Sequence, residues 1–376
     1  MDAVIYQSIT DIDPQQWNNL FADDYPFTRH EFFLALEQGQ SLGPQRGWVP
    51  RYVVVYEQQT AIAAMPWFKK QHSYGEYLFD WAFAEAFQRY GYPYYPKLVN
   101  AIPFTPCQGP RLGLAKTASA ATVMPVIEAA LMAAEPVSNL QCLYVQPALG
   151  EALKAENWWR RYDIQFLWYN KGYRNFDDFL QKLVSRKRKS LRKERQKVSE
   201  QGIRLEVLEG DQLNTAFWQR FAVFYQRTYI KRSGHSGYLT AETLKRWGDY
   251  LAQSIVVFAA YYNGDLVAAS LCFRDRTTLY GRYWGCLSEF DFLHFEACYY
   301  QGIEYCIKQG LQYFDAGAQG EHKLRRGFEP VLRQGFYRFA ATPLNEAVED
   351  FCQRESNALA EHLAVLNEHS PYKPSD

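Results

Sequence analysis

Neither sign of charge predominates in this chain, whose 41 lysines and arginines are matched by 41 aspartates and glutamates. A neutral total creates no overall field to gather nucleic acid or an anionic membrane, so electrostatic function has to come from a local cluster. Also missing is any uncharged apolar run of the roughly 18 residues that a spanning helix needs; the richest stretch is Leu251 to Gly264. The start, Met1-Asp2-Ala3-Val4-Ile5-Tyr6, has no basic residues followed by an apolar core, so no secretory leader is expected. The seven cysteines are odd in number and include no Cys-x-x-Cys pair, which fits reduced thiols in the cytoplasm and offers no spacing for a metal such as zinc. What the chain does have is apolar mass. With 48% hydrophobic and 17% aromatic residues over 376 positions, it can build more than one core, and two domains are expected.

Periodicity supports a repeated plan. Strands are expected at Arg51 to Tyr56 and Thr60 to Phe68, a helix at Thr117 to Ala134, then strands at Leu140 to Val145 and Ile164 to Trp168. In the second half, Ile255 to Tyr262 and Leu266 to Phe273 flank Asn263-Gly264, a strong hairpin signal. A strand at Thr278 to Trp284 follows, then a helix from about Leu293 to Gln309 capped by Gly310, a strand at Leu311 to Phe314 and another at Arg333 to Phe339. The second half thus reads hairpin, strand, helix, strand, strand, and the first is at most a diverged copy of it, with an extra tyrosine- and proline-rich segment, Arg89 to Pro110. Leu344 to Leu366 reads as a closing helix and Ser370 to Asp376 as a frayed tail.

Two stretches carry candidate chemistry. From Lys182 to Lys197 there are nine lysines or arginines and one glutamate, preceded by Asp177-Asp178 and followed by Gly202. This is the charge order that a helix dipole favours, and a basic helix over 177–201 is expected. Val184, Leu191 and Val198 form its thin apolar seam, leaving Arg186, Arg188, Lys189, Arg192 and Lys193 to meet phosphates. The second stretch is the loop 315–330, where Asp315, Glu321, His322 and Lys323 supply acid, base and ammonium, with Arg325 and Arg326 beside them. Such groups serve proton transfer and oxyanion stabilisation. The strand before it offers Arg282, Tyr283 and Trp284, of which alternation buries one aromatic and leaves the other for a pocket. Gly234-His235-Ser236-Gly237 lacks the spacing of a nucleophile elbow, and Gly317-Ala318-Gln319-Gly320 lacks the third glycine of a dinucleotide loop.

Three blocks in combination resemble a bacterial FemAB-like family of N-acyltransferases within the GNAT superfamily. They are Ser185 to Arg195, the segment from Tyr94-Tyr95-Pro96-Lys97 through Pro103-Phe104-Thr105-Pro106 to Gly109-Pro110-Arg111-Leu112, and His294 to Gln301 with Gly317 to Lys323. The resemblance implies mixed α/β sheets in two tandem GNAT-like folds, set here at 1–170 and 171–376. It also implies an Asp-x-Gly strand end with a following lysine, matched by Asp315, Gly317 and Lys323. Two features depart from pattern. The chain lacks the Gln/Arg-x-x-Gly-x-Gly/Ala phosphate loop, Arg282 to Leu287 coming closest, and Lys323 is followed by Leu324-Arg325-Arg326-Gly327-Phe328 where the family reads Lys-x-x-Phe-Gly.

The expected activity is transfer of an acyl or aminoacyl group from aminoacyl-tRNA or acyl-CoA to an amine. No cofactor is permanently bound in this reading. Asp315, Glu321 or His322 would take the proton, Lys323 would meet the oxyanion or a donor phosphate, and Arg325 and Arg326 would hold a substrate anion. The competing expectation is a non-catalytic pair of such folds that binds an anionic ligand or RNA.

Overall fold

A computed structural model describes residues 1–21, 24–318 and 320–374. It divides into two compact units, one of Met1–Asp163 with Leu332–Glu361, the other of Ile164–Val331 with His362–Asp376.

The first unit contains β1 (Asp2–Tyr6), α1 (Pro14–Leu20), α2 (His30–Gln38), β2 (Val49–Glu57), β3 (Thr60–Lys70), α3 (Trp81–Arg89), β4 (Lys97–Asn100), β5 (Gly113–Leu114), α4 (Ala120–Ala134), β6 (Asn139–Leu143) and α5 (Pro147–Ala155). Its strands run β1-β2-β3-β4-β6, antiparallel except for the β4/β6 pair, whose crossover contains α4. A sixth strand comes from far along the chain, where Gly335 to Phe339 pair antiparallel with Leu143 to Asn139. Ser119 caps α4 in a reciprocal pair with Thr122, which is why the helix starts at residue 120 and not at 117. The segment read as an extra insertion instead supplies β4. Lys97 on that strand is fully buried, 2.7 Å from Glu76 Oε2 and 2.6 Å from Asp80 Oδ2. Val53, Trp67, Ile127, Leu140 and Leu153 belong to the core on one side of this sheet.

The second unit starts within β7 (Trp159–Tyr169) and continues through α6 (Phe176–Lys182), α7 (Ser185–Glu200), β8 (Ile203–Glu209), α8 (Thr215–Ser233), α9 (Ala241–Tyr250), β9 (Ile255–Tyr262), β10 (Asp265–Arg274) and β11 (Thr278–Cys286). Then come α10 (Leu293–Phe295), a π-helical turn at Glu296–Tyr300, α11 (Gln301–Gln309) and β12 (Tyr313–Asp315); β13 (Glu329–Phe339) and α12 (Asn345–Glu368) complete the chain. The order is β8-β9-β10-β11-β12-β7, with a single parallel pair, β11/β12. Each unit therefore repeats one pattern of three antiparallel pairings, one parallel pairing and one more antiparallel pairing. That is the expected mixed α/β class, with one strand pattern occurring twice. In each, the final strand comes from the other half of the sequence.

The expected basic helix over 177–201 is two helices, because Leu183 takes an extended conformation and buries its side chain completely. Val184 N–H then donates to the Pro371 carbonyl at 2.9 Å. The same contact corrects the frayed tail: Tyr372 is docked, its hydroxyl 2.7 Å from the Gly327 carbonyl, while Ser375 and Asp376 lie outside the described residues. Among the described residues, no helix is long and apolar enough to cross a membrane.

Candidate active site

The geometry begins with a bulge. Leu271 of β10 faces Tyr283, but the next residue, Cys272, faces Gly281, so Arg282 is the extra residue in β11. A bulged residue leaves the strict alternation of its strand. Arg282 reaches the neighbouring β12, where Nη2 lies 2.8 Å from Asp315 Oδ1 and 3.3 Å from the Asp315 carbonyl oxygen. The two side chains are only 2% and 5% exposed. Burial leaves little room for either group to meet substrate, and each charge depends on the other for its compensation.

From Asp315 the chain turns sharply. Asp315 Oδ1 accepts from Gly317 N–H at 3.0 Å. Gly317 has φ of +90°, and a Cβ there would sit 3.3 Å from the Gly281 carbonyl oxygen, so both backbone conformation and space call for glycine. Lys323 Nζ closes the other side of the turn, 2.5 Å from the Gly317 carbonyl and 3.4 Å from that of Ala318. Asp315 and Lys323 thus meet on the two polar groups of one glycine.

The next residues form a 3-10 turn, Glu321–Arg326. With three residues per turn, successive side chains leave about 120° apart, and the expected convergence of Glu321, His322 and Lys323 on one cleft does not occur. Glu321 lies 3.5 Å from His362 and is exposed. Arg325 is also exposed. Arg326 is buried, with Nη2 2.9 Å from Glu194 Oε2, Nε 3.0 Å from the Tyr300 hydroxyl and its guanidinium 3.5 Å above the Phe295 ring. These contacts engage Arg326 in holding the turn. His322 remains at the surface, its Nε2 2.8 Å from the Tyr299 hydroxyl. Partial burial of the ring, then the charges of Arg326, Lys323 and Arg232, push its pKa below the usual histidine value. The imidazole is consequently neutral and able to accept a proton at neutral pH.

In the same unit lies a 680 Å³ cavity. Arg227, Thr228, Ile230, Lys231 and Arg232 of α8 form one wall; Trp284 and Cys286 of β11, Leu287–Leu293 and His294 form the rest. Gly285 brings the walls together, since a Cβ there would lie 2.4 Å from the Phe224 carbonyl carbon in α8. Trp284 is half-buried and faces the space, whereas Tyr283 belongs to the core, stacked on Trp247 at 6.0 Å and edge-on to Tyr225 at 5.7 Å. That packing corrects the expectation that Tyr283 contacts substrate. Burial, then Arg232 and more distant cations, lowers the His294 pKa to about 3.

An aromatic chain joins cavity to turn. The His294 ring is 5.5 Å from Trp284 on one side and 5.5 Å from Tyr299 on the other, and Tyr299 holds His322. The π-helical turn at Glu296–Tyr300 fits this role, because an added residue rotates the following side chains.

The exposed side of α7 carries Arg186, Lys189 and Lys193. Arg188 lies 3.3 Å from Ser185 Oγ, and Arg192 is paired with Asp177 at 2.8 Å. Lys187 has a lowered pKa, first from burial and then from Arg325, Arg186 and Arg326, which marks a crowd of cations. The inner side of α7 is pinned by Arg195, 2.9 Å from Glu296 and 2.8 Å from Glu304. Sequence reasoning missed Glu194, although one acid among nine bases was the available signal. It also missed the α8 wall, although Phe217, Phe221, Phe224 and Tyr225 recur at helical spacing. Among the described residues, no group of three or more His, Cys, Asp or Glu side chains could hold a metal ion.

The FemAB-like family, described as peptidoglycan biosynthesis/recognition, matches residues 8–374. A crystal structure of FemX shares 11% identity with a TM-score of 0.54, covering 93% of this chain and 100% of that one. The C-terminal domain (DUF2156) of a putative lysylphosphatidylglycerol synthetase from Agrobacterium fabrum shares 11% identity with a TM-score of 0.52, covering 94% and 97% of the two chains. L-PGS from Bacillus licheniformis shares 11% identity with a TM-score of 0.50 over 89% and 97%. At that identity the likeness is one of fold. Among curated proteins, none matches the sequence.

Proposed function

Because the chain belongs to the FemAB-like family, and is therefore a transferase of acyl or aminoacyl groups, we propose that transfer takes place where the cavity of the second unit meets His322. The observation that carries this reading is the unbroken path Trp284, His294, Tyr299, His322 from the cavity to a neutral imidazole.

In this reading the activated carbonyl of the donor lies at the His294 end of the cavity. The acceptor amine attacks it directly, a bond to nitrogen forms, and the bond to the donor oxygen or sulfur breaks. With His322 Nε2 held by the Tyr299 hydroxyl, Nδ1 takes the amine proton and returns it to the departing oxygen or sulfur. Arg227 and Arg232 offer positive charge to the tetrahedral oxyanion or to a donor phosphate. Asp315, Arg282 and Lys323 act as positioning residues that fix the turn. The α7 cations Arg186, Arg188, Lys189, Arg192 and Lys193, together with Arg325, would receive the phosphates of a larger donor, either aminoacyl-tRNA or acyl-CoA.

The test is a transfer assay with purified protein, offering both donor classes against a panel of amines. Trp284→Ala and Arg232→Gln should weaken donor binding, while His322→Ala should lower turnover and leave donor binding intact. Donor binding and turnover that ignore all three substitutions would place the reaction elsewhere.

A further inference from the structure

We propose that the solvent face of α8 docks on an anionic phospholipid bilayer. The inner face of this helix is committed to the core through Phe217, Trp218, Phe221, Phe224 and Tyr225. The outer stripe reads Arg220, Val223, Arg227, Ile230, spaced by three and four residues and hence aligned. Two of these are apolar yet open to water, Val223 at 46% and Ile230 at 57% exposure, and Phe292 at the cavity rim is 40% exposed. Across its 19 residues α8 has four cations, Arg220, Arg227, Lys231 and Arg232, and no carboxylate. The nearby acids at the rim are Glu289, which Lys231 already binds, and Asp291.

The combination selects the partner. Nucleic acid would use the cations but gains nothing from isolated aliphatic side chains. A membrane surface with anionic headgroups uses both, since cations are drawn to the headgroups while branched side chains enter the acyl boundary. Phe292 supports this reading independently. It holds φ of +63°, a conformation costly for a bulky residue, and it remains open to solvent at the cavity mouth. Arg227 and Ile230 belong to the outer stripe and to the cavity lining alike, so a bilayer seated on α8 would bring its headgroups to the mouth. The docking does not depend on the transfer reading and is tested without turnover.

The experiment is co-sedimentation of the full chain with phosphatidylcholine vesicles, with and without about 30% phosphatidylglycerol, at about 0.1 M salt, where screening acts over about 10 Å. The wild type should partition onto the anionic vesicles and not onto the neutral ones. Arg220→Gln with Arg227→Gln should lower partitioning roughly 25-fold, at about five-fold per cation. Val223→Ser with Ile230→Ser should also weaken it, and both pairs are surface changes that leave the circular dichroism intact. Tryptophan placed by Ile230→Trp should shift its emission to the blue on anionic vesicles. Equal partitioning on neutral vesicles, or insensitivity to the serine pair, would overturn the proposal. So would a phosphodiester oligonucleotide that binds in place of the vesicles and is lost only in the glutamine pair.

Discussion

His294 offers the most direct physical test of the cavity, because its environment makes it refuse a proton that the unfolded chain accepts. Burial and then Arg232 hold its pKa at about 3, against an unfolded value of about 6.5. For a group whose folded pKa is depressed in this way, the unfolded state binds the extra proton as pH falls. Stability is therefore greatest above pH 6.5 and drains away as pH drops through 6.5 toward 3. Between pH 7.5 and 5 a single such histidine removes about 2 kcal/mol, from a limiting slope of about 1.4 kcal/mol per pH unit. His294→Gln should abolish that contribution whatever it does to absolute stability. The assay is denaturant unfolding of wild type and variant at pH 7.5, 6 and 5, reading how their difference changes with pH, so that contributions from other groups largely cancel. A difference constant across the range would mean that His294 titrates alike in the folded and unfolded states and that the cavity is wetter and less cationic than its geometry indicates.

Other parts of the fold make separate commitments. Lys97→Met leaves Asp80 buried without its ammonium and Glu76 with that of Lys70 alone, and unfolding by denaturant should show a loss of about 3–5 kcal/mol. Gly285→Ala drives a methyl into the α8 backbone and should cost about 1–3 kcal/mol, seen as a lowered Tm. Glu321→Gln should leave transfer unchanged, because that carboxylate faces His362 and solvent. In the pH profile of transfer, the acid limb should fall at a pH below the usual histidine value of about 6.5, because the His322 pKa is lowered; His322→Ala should erase that limb.

How much of this was legible in the sequence depended on whether local chemistry or distant contacts fixed the outcome. The Asn263-Gly264 hairpin was readable because both residues adopt the positive φ, 51° and 88°, that their types permit. Gly310 was readable as a cap for the same reason, with φ of +70°. The break at Leu183 was not, since it is fixed by a backbone partner at Pro371, almost two hundred positions away. Nor was the exchange of final strands, because an apolar pair such as Phe336-Tyr337 does not name its neighbour. The loop 315–330 was identified by composition, but composition carries no direction. Only the 3-10 geometry decides that Lys323 turns inward and Glu321 outward.

That direction changes what the motif means. An aspartate, a glycine and a lysine at a strand end suggest an acid and an oxyanion donor, yet here both charges are spent within the protein. Arg282 neutralises Asp315, and Lys323 neutralises the carbonyl dipoles of Gly317 and Ala318. The turn they stabilise carries His322, which alone among the four expected catalytic groups is exposed and tied to the cavity through Tyr299. Lys323→Met should accordingly act through position. Loss of its ammonium leaves two carbonyls without a donor and loosens the turn, so transfer should fall while its pH dependence shifts along with the His322 environment, because one neighbouring cation that depresses that imidazole is gone. The acid limb moves up toward the ordinary histidine value. The acid limb moves in either role, so the size of the loss separates them: a lysine in direct contact with the oxyanion would lower turnover by about 100-fold or more at the pH optimum, and a positioning lysine by less.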